Sequence, residues 1–163
     1  MLKLLLAAVL GMWVGVQSDG PSSQTTVRVR VERAGTRRTY CYVVRNGRRE
    51  TISSIFIGTA EGIDEPELAS PPLGWRPEAN DCPRSIVVPD GWTGCVGRQE
   101  ESAKLFLRLE AVQPRAELAP GGSLEFTVTV GRRDATYEAA VFWAIRSTGA
   151  ADIGRVASAQ MRR

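Results

Sequence analysis

Residues 26–58 read TVRVRVERAGTRRTYCYVVRNGRRETISSIFIG, and the period of this stretch decides the fold class. From Thr26 to Arg33, Val27, Val29 and Val31 fall on one face and Arg28, Arg30 and Glu32 on the other, the alternation of a half-buried strand. Ala34 to Thr36 make a turn, and Arg38 to Arg45 form a second strand. Asn46-Gly47 then predicts a two-residue hairpin turn, because this pair tolerates positive φ. A third strand, Thr51 to Gly58, carries Ile52, Ile55, Phe56 and Ile57.

The same period recurs downstream. Ser85 to Val88 is a short strand, Pro89-Asp90-Gly91 a turn, and Trp92 to Val96 runs on from it. Ser102 to Val112 places Ala103, Leu105, Leu107 and Leu109 on one face. After the loop 114–122, Leu124, Phe126, Val128 and Val130 alternate with Glu125, Thr127 and Thr129. Thr136 to Arg146 is predicted as one strand, with Trp143 in the core beside Val141 and Ile145. No stretch after residue 18 has helical spacing with caps. Some seven short strands separated by Gly and Pro predict an all-β, antiparallel two-sheet sandwich.

Two segments carry a further likeness. YCYVVRNGRRETISSIFIG (residues 40–58) and LAPGGSLEFTVTV (residues 118–130) resemble strands of secreted bacterial immunoglobulin-like domains. That resemblance covers about half of the chain after residue 18 and implies an immunoglobulin- or fibronectin-like sandwich. It implies no activity, since such folds host many functions. The Cys…Trp…Cys spacing of antibody domains is absent.

The chain opens MLKLLLAAVLGMWVGVQS. Lys3 precedes an uncharged apolar run from Leu4 to Val16, and Val16 and Ser18 stand where a signal peptidase wants small side chains. Thirteen residues fall short of the roughly 20 that span a bilayer core. Residues 1–18 therefore read as an export signal and 19–25 as a flexible lead-in. Residues 26–147 form the sandwich, and 148–163 a tail or edge strand around Ile153 to Ala157. The expected location is secreted or periplasmic, with no integral membrane segment once the signal is cut.

Removing residues 1–18 from 163 leaves 145 residues, one ordinary domain. It also removes Lys3 and takes the net charge from +3 to +2, too small to imply nucleic acid or an anionic membrane. The charge is unevenly spread. Arg28, Arg30, Arg37, Arg38, Arg45, Arg48 and Arg49 crowd the first strands, whereas Glu61, Asp64, Glu65 and Glu67 form an acidic run. Two explanations stand for the arginines: solvated outer faces, or a basic surface for an anionic glycan or protein partner. Nucleic acid is not an expected partner of an exported chain.

The chain has no histidine. This excludes His-ligated zinc, Ser-His-Asp and Cys-His nucleophiles, and imidazole acid–base catalysis. Carboxylate chemistry remains, and with it a small hydrolase of extracellular or cell-wall glycan, for which two acids must face each other about 5–9.5 Å apart. Against this stands a non-catalytic binding or structural module, with no cofactor or metal. Asp64, Glu65, Glu67, Asn80 and Asp81 lack the spacing of a calcium loop.

Residues 59–84, with five prolines, predict a long surface excursion, the first place to seek a site. Trp75, Arg76 and Asp81 there, with Asp90 and Trp92 beyond, form a candidate ligand platform unless both rings pack inward. Cys82 and Cys95 flank the Pro89-Asp90-Gly91 turn and are the expected disulfide. Cys41 is left as a free thiol, opposite Tyr40 and Tyr42, and is read as a small buried hydrophobe. A non-reducing mass measurement of the exported protein checks these expectations together. It should give a start at Asp19, the loss of one pair of hydrogens, and one alkylatable thiol.

Overall fold

A computed structural model describes residues 24–58, 68–77, 81–99 and 104–159. The proposed signal, the acidic run 61–67, Glu78, Asn80 and Ala103 lie outside them. Among the described residues ten strands form: β1 (Thr26–Ala34), β2 (Arg37–Arg45), β3 (Ile52–Gly58), β4 (Ile86–Val87), β5 (Trp92–Arg98), β6 (Leu105–Ala111), β7 (Ser123–Val130), β8 (Val141–Arg146), β9 (Ala151–Arg155) and β10 (Ala157–Ser158). One helical turn, α1 (Thr136–Ala139), precedes β8. The strands make two five-stranded sheets, in the orders β10-β1-β2-β7-β4 and β5-β6-β3-β8-β9. All pairings are antiparallel except β1 with β10.

The predicted alternation sets the inner faces. Val27, Val29, Tyr40, Tyr42, Val44, Phe126, Val128 and Val130 of the first sheet are buried against Ile55, Ile57, Leu107, Leu109, Phe142 and Ala144 of the second. Three tyrosines lie wholly inside, with Tyr40 and Tyr137 stacked at 4.8 Å between ring centroids. A buried hydroxyl must find a partner. Tyr40 donates to the Asp134 carbonyl (2.6 Å), Tyr42 to the Tyr137 carbonyl (2.7 Å) and Tyr137 to the Ser70 carbonyl (2.7 Å). Burial pushes all three phenols above their ordinary pKa.

The structure corrects several expectations. Asn46-Gly47 is not a hairpin turn, because β2 and β3 belong to different sheets. Asn46 is fully buried at the corner between them. Its Nδ2 donates to the carbonyls of Glu50 (2.8 Å) and Leu118 (3.0 Å), and its Oδ1 accepts the Arg48 N–H (2.9 Å). Its own N–H donates to the Gly122 carbonyl, and its carbonyl accepts from the Gly121 N–H. One side chain thus ties the crossover to the segment that leads into β7.

Residues 136–146 are not one strand. Ala140, Phe142 and Ala144 point inward, so in a continuous strand Tyr137 would point outward. The turn of α1 rotates its ring into the core, and the Asp134 carboxylate accepts hydrogen bonds from the Thr136 N–H and hydroxyl. The same parity puts Trp143 on the outer face rather than in the core. Cys41 is a free thiol on the outer face of its sheet, half-buried rather than interior. Residues beyond 147 supply an edge strand to each sheet, β9 and β10.

Replacing Asn46 by Ala removes the bonds to the Glu50 carbonyl and the Arg48 N–H, and takes one of two donors from the Leu118 carbonyl, which keeps the Ile52 N–H. Urea unfolding of Asn46→Ala should show a loss of about 2–3 kcal/mol, at an unchanged denaturant slope.

Candidate functional site

The sandwich is open on one side, where β1 of the first sheet and β9 of the second fail to pair. A cavity of about 490 Å³ lies there, lined among others by Thr25, Arg28, Arg48, Phe142, Asp152 and Arg155. Phe142 supplies an apolar wall. Asp152 is an inward-pointing charge on an edge strand, a device that discourages edge-to-edge pairing. Only 7% of its side chain is exposed, against 36% for Arg48.

The carboxylate of Asp152 is saturated. Arg48 Nε approaches its two oxygens at 3.1 and 3.0 Å, and Arg48 Nη2 lies 3.0 Å from Oδ1. The Thr25 hydroxyl donates to Oδ2 at 2.7 Å. Three segments meet on this one group: the residue before β1, the β2–β3 crossover, and β9. Burial would raise the pKa of Asp152, but the hydrogen bonds from Arg48 and Thr25 and the charges of Arg48 and Arg146 outweigh it. The net result lies below the ordinary carboxylate value of 3.8. The hydrogen bond to Asp152 in turn raises the pKa of Arg48.

The sequence-predicted basic residues do not form one surface. Arg28, Arg30 and Arg45 share the outer face of the first sheet, where Arg30 pairs with Glu32 at 2.8 Å. Arg37 and Arg38 stand at the far end of the β1–β2 hairpin, with Arg38 Nη1 bonded to the carbonyls of Gly35 and Arg37. Arg48 turns into the cavity and Arg49 is exposed in the crossover. Arg28 and Arg48 come together at the cavity, joined by Arg155, which sequence reasoning missed. Its signal was its place on an edge strand within the presumed tail.

Of the proposed loop platform, the two tryptophans pack inward to different degrees. Trp92 is 7% exposed and its Nε1 donates to the Ala116 carbonyl at 2.7 Å, so its ring is part of the core. Trp75 packs half-buried against that core. Arg76, Asp81 and Asp90 are exposed, and the Asp81 carbonyl accepts from the Val96 N–H, four residues along β5 from Trp92. Cys82 and Cys95 form the expected disulfide and pin this segment to the edge strand β5.

The outer face of the second sheet carries apolar residues that the sequence reading did not assign to a surface. Strand register sets Arg108, Phe56, Trp143 and Ile153 directly opposite one another on β6, β3, β8 and β9. Phe106 lies diagonally beside Phe56, with ring centroids 6.0 Å apart. Gly97 leaves room for the Phe106 ring, which lies where a Cβ at that position would stand. The signal in the sequence was aromatic residues at the off-phase positions of IFI, LFL and FWA.

No protein-family model matches the chain, and no curated protein matches it. Solved structures do. An uncharacterized protein from Nocardia farcinica, described as revealing an immunoglobulin-like fold, aligns at a TM-score of 0.51 and 16% identity, over 81% of this chain and 83% of that one. The fold is immunoglobulin-like. A carbohydrate-binding module (CBM) of Ruminiclostridium thermocellum aligns at 0.42 and 9% identity, over 81% of this chain and 97% of its own. A GH20 exo-β-N-acetylglucosaminidase from Vibrio harveyi aligns at 0.43 and 12% identity, over 84% of this chain but 18% of its own. In this immunoglobulin-like sandwich Tyr137 sits between β7 and β8, and its hydroxyl reaches across to the Ser70 carbonyl.

Because its folded pKa is depressed, Asp152 contributes stability at pH values above 3.8 that disappears as pH falls through the lowered value. In urea titrations Asp152→Asn should unfold earlier than the parent above about pH 5, and the difference should shrink as pH falls through the lowered value.

Proposed function

We propose that this protein is an exported, non-catalytic binding module that takes an acidic group of its ligand into the cavity between β1 and β9. The observation that carries this reading is the balance of charge there. Arg28 and Arg48 line the cavity around Asp152, whose negative charge Arg48 and Thr25 already engage. Arg48 uses Nε and Nη2 on Asp152, which leaves Nη1 for a ligand oxygen. Guanidinium groups bind carboxylate, sulfate and phosphate through paired N–H donors. The Phe142 wall suits a ligand with an apolar body as well as a charge.

Export is supported by the apolar opening of the chain and by the Cys82–Cys95 disulfide, which persists in oxidising compartments. No helix among the described residues is long and apolar enough to cross a membrane. Binding is favoured over glycan hydrolysis by the placement of the buried acids. Asp152 joins Thr25 at the start of β1, whereas Asp134 joins Tyr40 towards the other end of that hairpin. These two buried acids lie toward different ends of the hairpin, so they are not a facing pair.

Retention of the protein on immobilised heparin tests the reading. Elution should move steeply with ionic strength, and Arg28→Gln should weaken binding about tenfold at low salt while leaving the unfolding midpoint unchanged. Retention that does not vary with salt, or that Arg28→Gln leaves intact, overturns it.

A further inference from the structure

We infer that the outer face of the second sheet is a stacking platform for pyranose rings, continuous with the cavity, so that the ligand is an acidic polysaccharide chain lying around the edge strand β9. This rests on the proposed acid-binding role of the cavity and names the chemistry of the rest of the ligand.

The continuity runs through Ile153. It lines the cavity, it is 55% exposed, and it stands directly opposite Trp143, which stands directly opposite Phe56. Adjacent strands are about 4.8 Å apart, so these three side chains extend over about 10 Å, the length of two linked sugar rings. A group held by Arg28 and Arg48 in the cavity would leave the neighbouring rings of its chain against Ile153 and Trp143. The apolar C–H face of a pyranose packs on an aromatic ring, and its hydroxyls need polar groups around the rim.

The face offers both. Phe106 lies across the bare backbone of Gly97, and Trp143 keeps its Nε1 buried with no acceptor among the described residues. Both rings therefore act as apolar surface. Arg108 and Glu110 stand on the same face, each nearly half exposed, with Arg108 Nε and Glu110 Oε2 3.6 Å apart. Ser54 and Thr93 flank them in the same row as Glu110.

A second copy of this chain is the other occupant that an apolar sheet face suggests. The centre of such an interface is depleted of charge. Here Arg108 is in the central row, next to Phe56, and its charge together with that of Glu110 favours a hydroxyl-rich ligand.

The test uses protein recovered after expression of the whole chain, titrated calorimetrically with hexagalacturonate and, separately, with neutral cellohexaose, with sedimentation run in parallel. Hexagalacturonate should bind the parent, and Ile153→Ser and Trp143→Leu should each weaken it about three- to tenfold. Ile153→Ser changes an exposed side chain and keeps the comparison valid should Trp143→Leu destabilise the fold. Binding that Arg28→Gln weakens but both platform variants leave unchanged overturns the platform and spares the cavity reading. Equal binding of cellohexaose, lost in the platform variants and kept in Arg28→Gln, spares the platform and overturns the acidic ligand. A dimer that Ile153→Ser or Trp143→Leu converts to monomer, with no oligosaccharide bound, overturns the inference in favour of a second copy.

Discussion

Three phenol hydroxyls buried in one apolar core are the constraint on which the rest of the domain depends. Each would cost on the order of 1–3 kcal/mol if left unpaired, and each instead bonds a specific carbonyl. Tyr137 must reach Ser70, which positions the segment 68–77 against the sandwich, and Asp134 accepts the Ser70 N–H at 2.7 Å. Tyr137 can point inward only if a helical turn precedes β8. That turn fixes which residues of β8 face the core and which face water. The apolar outer face, with Trp143 at its centre, is therefore a consequence of how the tyrosines are satisfied inside.

The opposite end of the sandwich is held by charge. Asp152 gathers Arg48 and Thr25 where the edges of two sheets would otherwise gape. A carboxylate this deeply buried is tolerated because its partners supply hydrogen bonds as well as charge. The same arrangement turns the sheet edge into a cavity lined by Arg28 and Arg48 as well as Asp152. Structural closure and the proposed ligand recognition draw here on one set of residues, and the edge strand β9 borders both the cavity and the outer face.

Much of the architecture was legible from local pattern. The alternation in β1, β6 and β7 gave correct inward and outward faces, while Cys41 of β2, read as buried, lies half-exposed on the outer face, and the Pro89-Asp90-Gly91 turn lies between the two cysteines of the disulfide. The site was far less legible. Seven arginines close in sequence separate in space, because alternation, a turn and a crossover send them to different faces and ends. Trp92 and Trp75 were candidates for a platform on composition, yet one is sealed in the core and the other leans on it. The residues that do assemble, Arg48 and Asp152, come from places more than a hundred positions apart.

What the sequence by itself determined was whatever depends on near neighbours: strand periodicity, the two-sheet class, the disulfide pair, and the chemistry that a chain without histidine must forgo. Tertiary structure alone decided which sheet each strand joins, which way Trp143 points, and where unlike charges meet. The physical reason is that side-chain parity is set within a strand, whereas pairing partners are chosen by burial and hydrogen-bond satisfaction across the whole core. Asn46 shows the difference. Its local preference is for a hairpin turn, but five hydrogen bonds, three of them to residues 118–122, hold it instead at the corner where one sheet gives way to the other.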